Sequence, residues 1–201
     1  MHGAVHDFIT VKTVKGGEGY PSAEEMYGGA VRDYITYKYK PVTEQPIFKS
    51  ILEIGSLDIC GSAKTYNFIN RGPSWRSIVG NQEYIGLDLI PCNCVDVVGN
   101  SHDIPFPGER FDLVMCMNML EHDSDPAKTI KEAYRVLRTG QPFLLTTVNQ
   151  NWGEHPQLGG GDTETYNKIT KAKFTKWIKD AGFTNPEIIE WNNNLFCEAI
   201  K

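Results

Sequence analysis

The sequence predicts an α/β protein with a mostly parallel β-sheet, and three observations lead to this class. Mainly apolar segments occur at 51–54, 84–88 and 111–117, and each ends near a glycine or a polar side chain. A pattern typical of an amphipathic helix follows the third segment, and another apolar segment begins at Pro142. Strands that are apolar on successive residues are typical of a parallel sheet with both faces covered. The expected unit is therefore strand, helix, strand.

The helix after the third segment has clear boundaries in the sequence. Asp125 is expected to cap its N-terminus, and Pro126 suits the first turn because its fixed φ and missing N–H cost nothing there. Apolar residues then recur at the spacing of a buried helix face, namely Ile130, Ala133, Tyr134 and Leu137. The helix is expected to end at 138–140, where Gly140 follows Arg138 and Thr139.

The C-terminal region predicts one more helix and a final pair of strands. Thr170 is expected to cap the helix and Gly182 to end it. Its buried positions would be Phe174, Trp177, Ile178 and Ala181. Segments 187–191 and 195–200 read as strands joined at Asn192, Asn193 and Asn194.

The N-terminal region is organised differently. Residues 1–21 are expected to form a loose lead-in. Ser22 with Glu25 three residues later forms a capping-box pattern, which predicts a helix from Ala23 to about Lys40, before Pro41.

Residues 149–165 are rich in glycine, asparagine and other polar residues, so they predict a mobile loop beyond the fifth strand.

Two strand ends predict a site for a nucleotide-like cofactor. The first strand leads into a turn that contains Gly55 and Gly61, where backbone N–H groups can approach a ligand closely. The second ends in Asp88, a carboxylate placed to accept hydrogen bonds from ribose hydroxyls. A nicotinamide dinucleotide site needs G-x-G-x-x-G with an acid about 20 residues later, and this spacing is not met. A dehydrogenase is therefore the less favoured alternative.

Five motifs in this order resemble those of the class I S-adenosylmethionine-dependent methyltransferases, in the branch called methyltransferase type 11. Residues 52–56 with Gly61 and Ser62 resemble the methionine-binding motif, 84–88 the ribose-binding motif and 95–106 the adenine-binding stretch. Residues 120–122 and 135–141 resemble two later signatures of the family. The resemblance extends from about residue 51 to residue 201. It implies a Rossmann-like seven-stranded, mostly parallel sheet with helices on both faces. It also implies a methyltransferase domain at 46–201, preceded at 1–45 by a lead-in and a helix over the cofactor.

The resemblance assigns residues to a site for S-adenosylmethionine. Ligands of open α/β sheets bind beyond the carboxyl ends of the strands, where these positions are expected to converge. The expected cofactor-binding residues are Glu53, Gly55, Ser56, Gly61, Ser62, Leu87, Asp88, Asn100, Ser101, His102, Met117 and Asn118. His155 and Asp162, in the loop after the fifth strand, are the candidates for the base that deprotonates an acceptor. His122 is expected to fix the loop before Asp125.

Three departures from the family pattern are visible. Leu57 stands where the second glycine of the first loop is usual, and Gly61 comes late. Asn100 replaces an Asp that commonly accepts a hydrogen bond from the adenine amino group, although an amide oxygen accepts the same bond. The turn at 138–140 reads Arg-Thr-Gly rather than basic-Pro-Gly.

Composition indicates which classes of partner the protein is expected to bind and in which cellular compartment it is expected to occur. The net charge of −5 argues against general binding to nucleic acid, which usually requires a basic surface. No apolar run approaches the ~20 residues of a membrane helix, and the N-terminus lacks the core of a signal peptide. Five cysteines form a sparse, odd set, so a reducing, cytoplasmic location is expected. Cys92 and Cys94 alone lack the ligand number for a metal site, and none is expected.

The acceptor is expected to be a small molecule or a glycan, methylated on oxygen or nitrogen; the glycan rests on resemblance in the 155–170 loop. Two alternatives remain open. A nucleic-acid-modifying methyltransferase is favoured if the helix with lysines at 168–179 faces the site. A non-catalytic protein that binds S-adenosylmethionine is favoured if the acceptor pocket lacks a base.

Overall fold

The computed structural model of the protein describes residues 48–56, 83–91, 95–153, 165–191 and 193–201. All of them belong to one compact unit. The predicted lead-in and helix at 1–45, Gly61, Ser62, the Cys92–Cys94 pair, His155 and Asp162 lie outside the described residues. Their assignments stay predictions.

One seven-stranded sheet forms the centre of the described unit. Its strands are β1 (Ser50–Ile54), β2 (Glu83–Asp88), β3 (Val97–Val98), β4 (Leu113–Met117), β5 (Pro142–Val148), β6 (Thr184–Trp191) and β7 (Asn194–Ile200). Their order across the sheet is β3-β2-β1-β4-β5-β7-β6. Neighbours from β3 to β5 pair in parallel, while β7 is antiparallel to both β5 and β6. The predicted fold class is confirmed.

The direction in which the chain crosses the sheet reverses between β1 and β4. From β1 the chain proceeds outward to β2 and β3, and then returns to place β4 on the other side of β1. Such a switch point opens a crevice at the carboxyl ends of the two central strands, because the connections on either side leave in opposite directions. We call this end of the sheet the carboxyl edge; Gly55, Asp88, Asn118 and Asn149 mark it.

Strand register places alternate residues on one hydrophobic face. Leu52, Val114 and Phe143 are aligned across β1, β4 and β5, and the next row on the same face holds Ile54, Cys116 and Leu145. All six are fully buried in a cluster that includes residues of both described helices. The opposite face is also buried at its centre, where Ile51, Met115 and Leu144 have no exposed surface. Burial on both faces explains the unbroken apolar runs in the sequence.

Two helices, α1 (Pro126–Val136) and α2 (Lys171–Ala181), pack against the first face, and both have the predicted caps. Asp125 Oδ1 accepts the Lys128 N–H at 3.2 Å, and Thr170 Oγ1 accepts the Lys173 N–H at 3.1 Å. Gly182 ends α2 at a φ of +107°. Neither helix is long and apolar enough to cross a membrane.

Two predicted boundaries were wrong. Helix α1 ends at Val136 rather than at 138–140, because the buried Leu137 turns to an extended conformation and bridges to Phe111. Strand β6 begins at Thr184 rather than at 187, and a bulge that contains Pro186 lies between Thr184 and Glu187. Proline is a strong signal against a strand, and a bulge is one of the places where a sheet accepts it.

Asp112 fixes the opposite, amino-terminal end of the central strands. Its Oδ2 accepts the N–H groups of Lys49 at 2.9 Å and Ser50 at 3.1 Å, and its Oδ1 binds the Arg138 guanidinium. Burial raises the pKa of Asp112, but the hydrogen bonds from Arg138 and Lys49 outweigh it and hold that pKa below its ordinary value. One carboxylate therefore joins β1, β4 and the turn after α1.

We expect Asp112→Asn to lower the free energy of unfolding by about 1–3 kcal/mol at pH 7, since hydrogen bonds to a charged group are lost. A lowered folded-state pKa gives stability that is present above the unfolded-state pKa and lost as the pH falls through the folded-state pKa. The difference from wild type should therefore shrink below the ordinary value of 3.8. Urea denaturation at pH 7 and pH 3 measures it.

Asp180→Asn is the matched control, because Asp180 forms an exposed pair with Lys176 within α2. Its effect should stay within about 0.5 kcal/mol at either pH. An Asp112→Asn effect of equal size at both pH values would contradict the electrostatic account.

Candidate functional site

Gly55 forms a tight turn where β1 meets the carboxyl edge. It adopts a φ of +75°, and a Cβ added there would lie 2.7 Å from Met119 Cγ, which is closer than real Cβ atoms approach. The turn after β1 and the residues after β4 are therefore in direct contact across the switch point. Only glycine meets both the backbone and the packing requirement without strain.

The N–H groups of this turn face another strand. Gly55 N–H and Ser56 N–H both donate to the carbonyl of Leu87, at 2.9 and 3.2 Å. Both N–H groups are therefore bound to β2, and the assignment of Gly55 and Ser56 to a cofactor site stays a prediction. Leu87 itself is fully buried in the core, so its carbonyl and side chain join β1 to β2.

Ser56 has a buried hydroxyl that has no hydrogen-bond partner among the described residues. The residue is 4% exposed, and no group accepts from or donates to its Oγ within the described structure. Leaving a buried hydroxyl unsatisfied costs about 1–3 kcal/mol. Such a group at the carboxyl edge is a candidate ligand contact.

Glu53 and Asp88 bring two carboxylates to the neighbouring strands. Glu53 lies inside β1 rather than after it, and its Oε2 accepts the Tyr84 hydroxyl at 2.6 Å. Asp88 is the last residue of β2, and its Oδ1 accepts the Ile90 N–H at 3.1 Å, which closes a turn. Sequence reasoning missed Tyr84, although its position in β2 opposite Ile51 could have indicated a neighbour of Glu53.

Side chains of α1 clamp the loop 99–106 that follows β3. Arg135 donates to the carbonyls of Ile104 at 2.8 Å and Phe106 at 2.7 Å, while Glu132 accepts the Ile104 N–H at 2.9 Å. Glu132 and Arg135 also bind each other through both carboxylate oxygens. The hydrogen bond from Arg135 is the main reason that the pKa of Glu132 lies below its ordinary value. Sequence reasoning missed this pair.

A second set of contacts ties the start of this loop to Asp123. His102 Nε2 lies 2.6 Å from Asp123 Oδ1, and the Thr129 hydroxyl donates to Asp123 Oδ2 at 2.6 Å. Ser101 Oγ lies 2.8 Å from Thr129 Oγ1. His102 and Ser101 were expected to contact a cofactor; in the structure their side chains bind protein groups.

The side-chain amide oxygen of Asn100 retains part of its expected hydrogen-bonding capacity. It is exposed, and its Oδ1 accepts the His102 N–H at 2.8 Å. The amide oxygen predicted to bind adenine therefore already holds one hydrogen bond, and an amide oxygen has room for a second.

Asn118 follows β4 in a left-handed conformation, with a φ of +51°. Its N–H points to Thr146, at 3.0 Å from the carbonyl oxygen and 3.1 Å from Oγ1. The Thr146 hydroxyl in turn lies 3.0 Å from Asn118 Oδ1. Met117, the last residue of β4, is half-buried beside it, with Sδ 3.6 Å from Thr146 Oγ1.

The turn at 120–123 is joined to the segment that precedes α2. Glu121 is 1% exposed and accepts the Thr147 hydroxyl at 2.8 Å. The side-chain amide of Asn167 donates to the carbonyls of Leu120 at 3.0 Å and Asp123 at 2.6 Å. His122 stacks edge to face with Tyr166, with ring centroids 5.7 Å apart. Residues 165–167 therefore line the same edge.

Negative charge dominates around the end of β4. Burial raises the pKa of the Cys116 thiol well above its ordinary value, and the carboxylates of Asp123, Glu121, Glu53 and Asp88 raise it further. Cys116 is therefore a neutral core thiol, and four carboxylates lie near enough to the end of β4 to act on it. Such a field favours a cationic ligand over an anionic one.

Comparisons with known proteins agree with this geometry. A family model described as "Methyltransferase domain" matches residues 73–145, which include β2, β3, β4 and α1. A protein named ubiquinone biosynthesis O-methyltransferase from Psychrobacter arcticus is 35% identical over 42% of this chain and 37% of its own length. A protein of the same name from Pseudomonas aeruginosa is 44% identical over 47% of this chain and 45% of its own length. The chain thus spans less than half of these relatives.

Solved structures share the fold across nearly the whole chain. A SAM-dependent methyltransferase from Aquifex aeolicus superposes with a TM-score of 0.57 at 14% identity, covering 95% of this chain and 96% of that one. The [4+2]-cyclase SpnF gives a TM-score of 0.56 at 16% identity, covering 99% and 94%. The chain is thus similar to the class I S-adenosylmethionine-dependent methyltransferases, in sequence over residues 73–145 and in fold over nearly its whole length. The family resemblance stated from the sequence is confirmed, and S-adenosylmethionine is the methyl donor that this family implies.

The carboxyl edge of the described domain has features that fit such a donor. Ser56 offers a hydroxyl with no partner in the described part of the chain, and Asp88 ends the adjacent strand where a ribose is expected. The acidic surroundings of β4 suit a sulfonium cation. When bound, S-adenosylmethionine supplies an electrophilic methyl group. No group of three His, Cys, Asp or Glu side chains suited to a metal ion occurs among the residues whose placement is described.

We expect Gly55→Ala to destabilise the domain by about 1–3 kcal/mol more than Gly140→Ala, because a new Cβ overlaps Met119 only at position 55. Gly140 is a close control for backbone strain, since its φ is +79° and nothing lies within 4 Å of an added Cβ. Chemical denaturation of both variants measures the difference.

Combining Gly55→Ala with Met119→Ala should recover part of the difference, because the atoms that overlap are removed. Equal losses in the two single variants would show that the close approach of Met119 does not constrain the turn.

Proposed function

We propose that the protein transfers a methyl group from S-adenosylmethionine to an oxygen atom of a small molecule. The observation that carries this proposal is the meeting of the Gly55 turn, Asp88 and the acidic end of β4 at one switch point. The oxygen acceptor is supported by the two relatives named as O-methyltransferases. SpnF, named as a cyclase, has the same fold, so binding of the donor alone does not establish methyl transfer.

The residues divide between holding the donor and shaping its site. Ser56, Asp88, Asn100 and Met117 are the proposed direct contacts, together with Gly61 and Ser62. The other predicted residues would shape the site through contacts with protein groups. Glu53 binds Tyr84, and Gly55 and Leu87 form the turn after β1. His102 binds Asp123, and Ser101 contacts Thr129, which also binds Asp123. Because Glu132 and Arg135 fix the loop after β3, the donor would meet an ordered surface.

Methyl transfer needs little from the protein besides alignment and removal of a proton. The acceptor oxygen must approach in line with the bond that breaks, so holding the two reactants close supplies most of the acceleration. His155 and Asp162 keep their proposed role as the base. A glycan and an acceptor nitrogen, both considered from the sequence, gain no support from the described residues and are left out of the proposal.

Nucleic acid fits the site less well than a small molecule. The acids around β4 repel phosphate, and the chain is acidic overall. Two of the lysines of α2 have partners on the same helix, since Lys173 lies over the Trp177 ring and Lys176 pairs with Asp180. These contacts are typical of a solvated helix face.

We expect S-adenosylhomocysteine to raise the melting temperature and NADH to leave it unchanged, because a ligand stabilises only the native state that it binds.

Asp88→Asn should weaken S-adenosylhomocysteine binding at least about tenfold, as one charge-assisted acceptor is lost. It retains an oxygen for the Ile90 N–H, so the turn should survive. Calorimetry measures the affinity. Wild-type affinity in Asp88→Asn would remove its ribose role.

Transfer itself is measured with methyl-labelled S-adenosylmethionine and a set of hydroxylated aromatic compounds, with duplex RNA in a parallel reaction. We expect label in the small-molecule fraction and none in the RNA, because phosphate is repelled from this edge. Label in RNA would favour the nucleic-acid alternative. Binding of the donor without transfer to any acceptor would favour the non-catalytic alternative.

A further inference from the structure

Asn118 occupies a left-handed position at the carboxyl edge. It is half-buried, it follows β4 directly, and its φ of +51° lies in a region that asparagine adopts more readily than most non-glycine residues. Such conformations persist where the surrounding structure holds them, and they are frequent at functional sites. The residue that holds Asn118 is Thr146, which is 2% exposed within β5.

Thr146 fixes both the backbone and the side chain of Asn118. Its hydroxyl accepts the Asn118 N–H at 3.1 Å and donates to Asn118 Oδ1 at 3.0 Å. A hydroxyl has one proton, and these two contacts use it in a consistent way. With the amide oxygen bound, the direction of the amide nitrogen is set. No described residue accepts from Asn118 Nδ2, so its two N–H groups are available at the edge.

We propose that Asn118 orients the acceptor oxygen by donating a hydrogen bond from Nδ2, and that Thr146 is the positioning residue that aims this amide. The proposal rests on the proposed function, which it extends by naming a residue that selects the nucleophile. It moves Asn118 from the expected cofactor contacts to the acceptor side of the site.

The chemistry of the donor explains why oxygen would be selected. A hydroxyl oxygen has two lone pairs, so one can attack the methyl carbon while the other accepts from Asn118. An amine nitrogen has a single lone pair, which the attack itself uses, and an ammonium group has none. In the transfer, the oxygen lone pair forms the new C–O bond, the electrons of the C–S bond remain on sulfur, and the hydroxyl proton passes to the general base.

The test uses catechol and benzylamine as acceptor probes, with labelled S-adenosylmethionine. We expect wild type to methylate catechol and not benzylamine. Asn118→Asp keeps the side-chain shape, tolerates a positive φ and loses both donors. Its kcat/KM for catechol should fall about tenfold or more, while its affinity for S-adenosylhomocysteine remains within about twofold of wild type. Asn185→Asp is the matched control, since Asn185 is exposed with a φ of +47° in β6, and it should behave as wild type.

Variants of Thr146 distinguish positioning of the Asn118 amide from simple structural support. Thr146→Val removes the hydroxyl but keeps the carbonyl that accepts the Asn118 N–H, and it should lower kcat for catechol with little loss of thermal stability. Thr146→Ser should restore most of the rate, because the hydroxyl returns.

Four results would overturn the proposal: methylation of benzylamine in preference to catechol, no methylation of catechol, an unchanged catechol rate in Asn118→Asp, or a parallel loss of cofactor affinity in that variant. Failure of the proposed function looks different, because wild type itself would then bind no S-adenosylhomocysteine or transfer no methyl group to any hydroxyl compound.

Discussion

The contact between Gly55 and Met119 is the constraint on which the site depends. It joins the turn after β1 to the segment after β4 at the place where the order of the parallel strands reverses. The same turn is held from the other side by the Leu87 carbonyl, which accepts two N–H groups. The ends of three neighbouring strands are therefore fixed relative to each other. Asp88, Ser56 and Asn118 take their positions from this arrangement.

Helix α1 provides the second layer of support. Asp125 caps it, and Thr129, Glu132 and Arg135 follow at spacings of three or four residues, so all face the loop after β3. Buried side chains on another face of the helix, such as Ile130 and Ala133, anchor it to the sheet. Helix α1 thus holds this loop in a fixed position relative to the sheet, although the loop has little regular structure of its own.

Much of this arrangement could be predicted from the sequence, for identifiable reasons. Apolar runs reveal strands with two buried faces, and the caps at Asp125 and Thr170 are local signals that tertiary packing does not override. The boundaries that failed, at Leu137 and Thr184, depend on a bridge and a bulge made with distant strands. Local patterns contain no information about such partners.

Site residues were harder to interpret than strands. The sequence placed Ser101, His102 and Gly55 near a cofactor because the family motif does, but their bonds go to Thr129, Asp123 and Leu87. A motif identifies which residues converge, and hydrogen-bond partners decide which of them face a ligand. Tyr84, Thr146 and Arg135 act through other residues and have no local signature.

The clamp on the loop at 99–106 has a consequence for binding. Side chains of α1 bind its backbone at Ile104 and Phe106, and Asp123 holds its start through His102. Because this loop is already ordered, a ligand that docks there loses little conformational entropy of the protein. A ligand that docks at this part of the edge therefore does not have to order residues 99–106 as it binds.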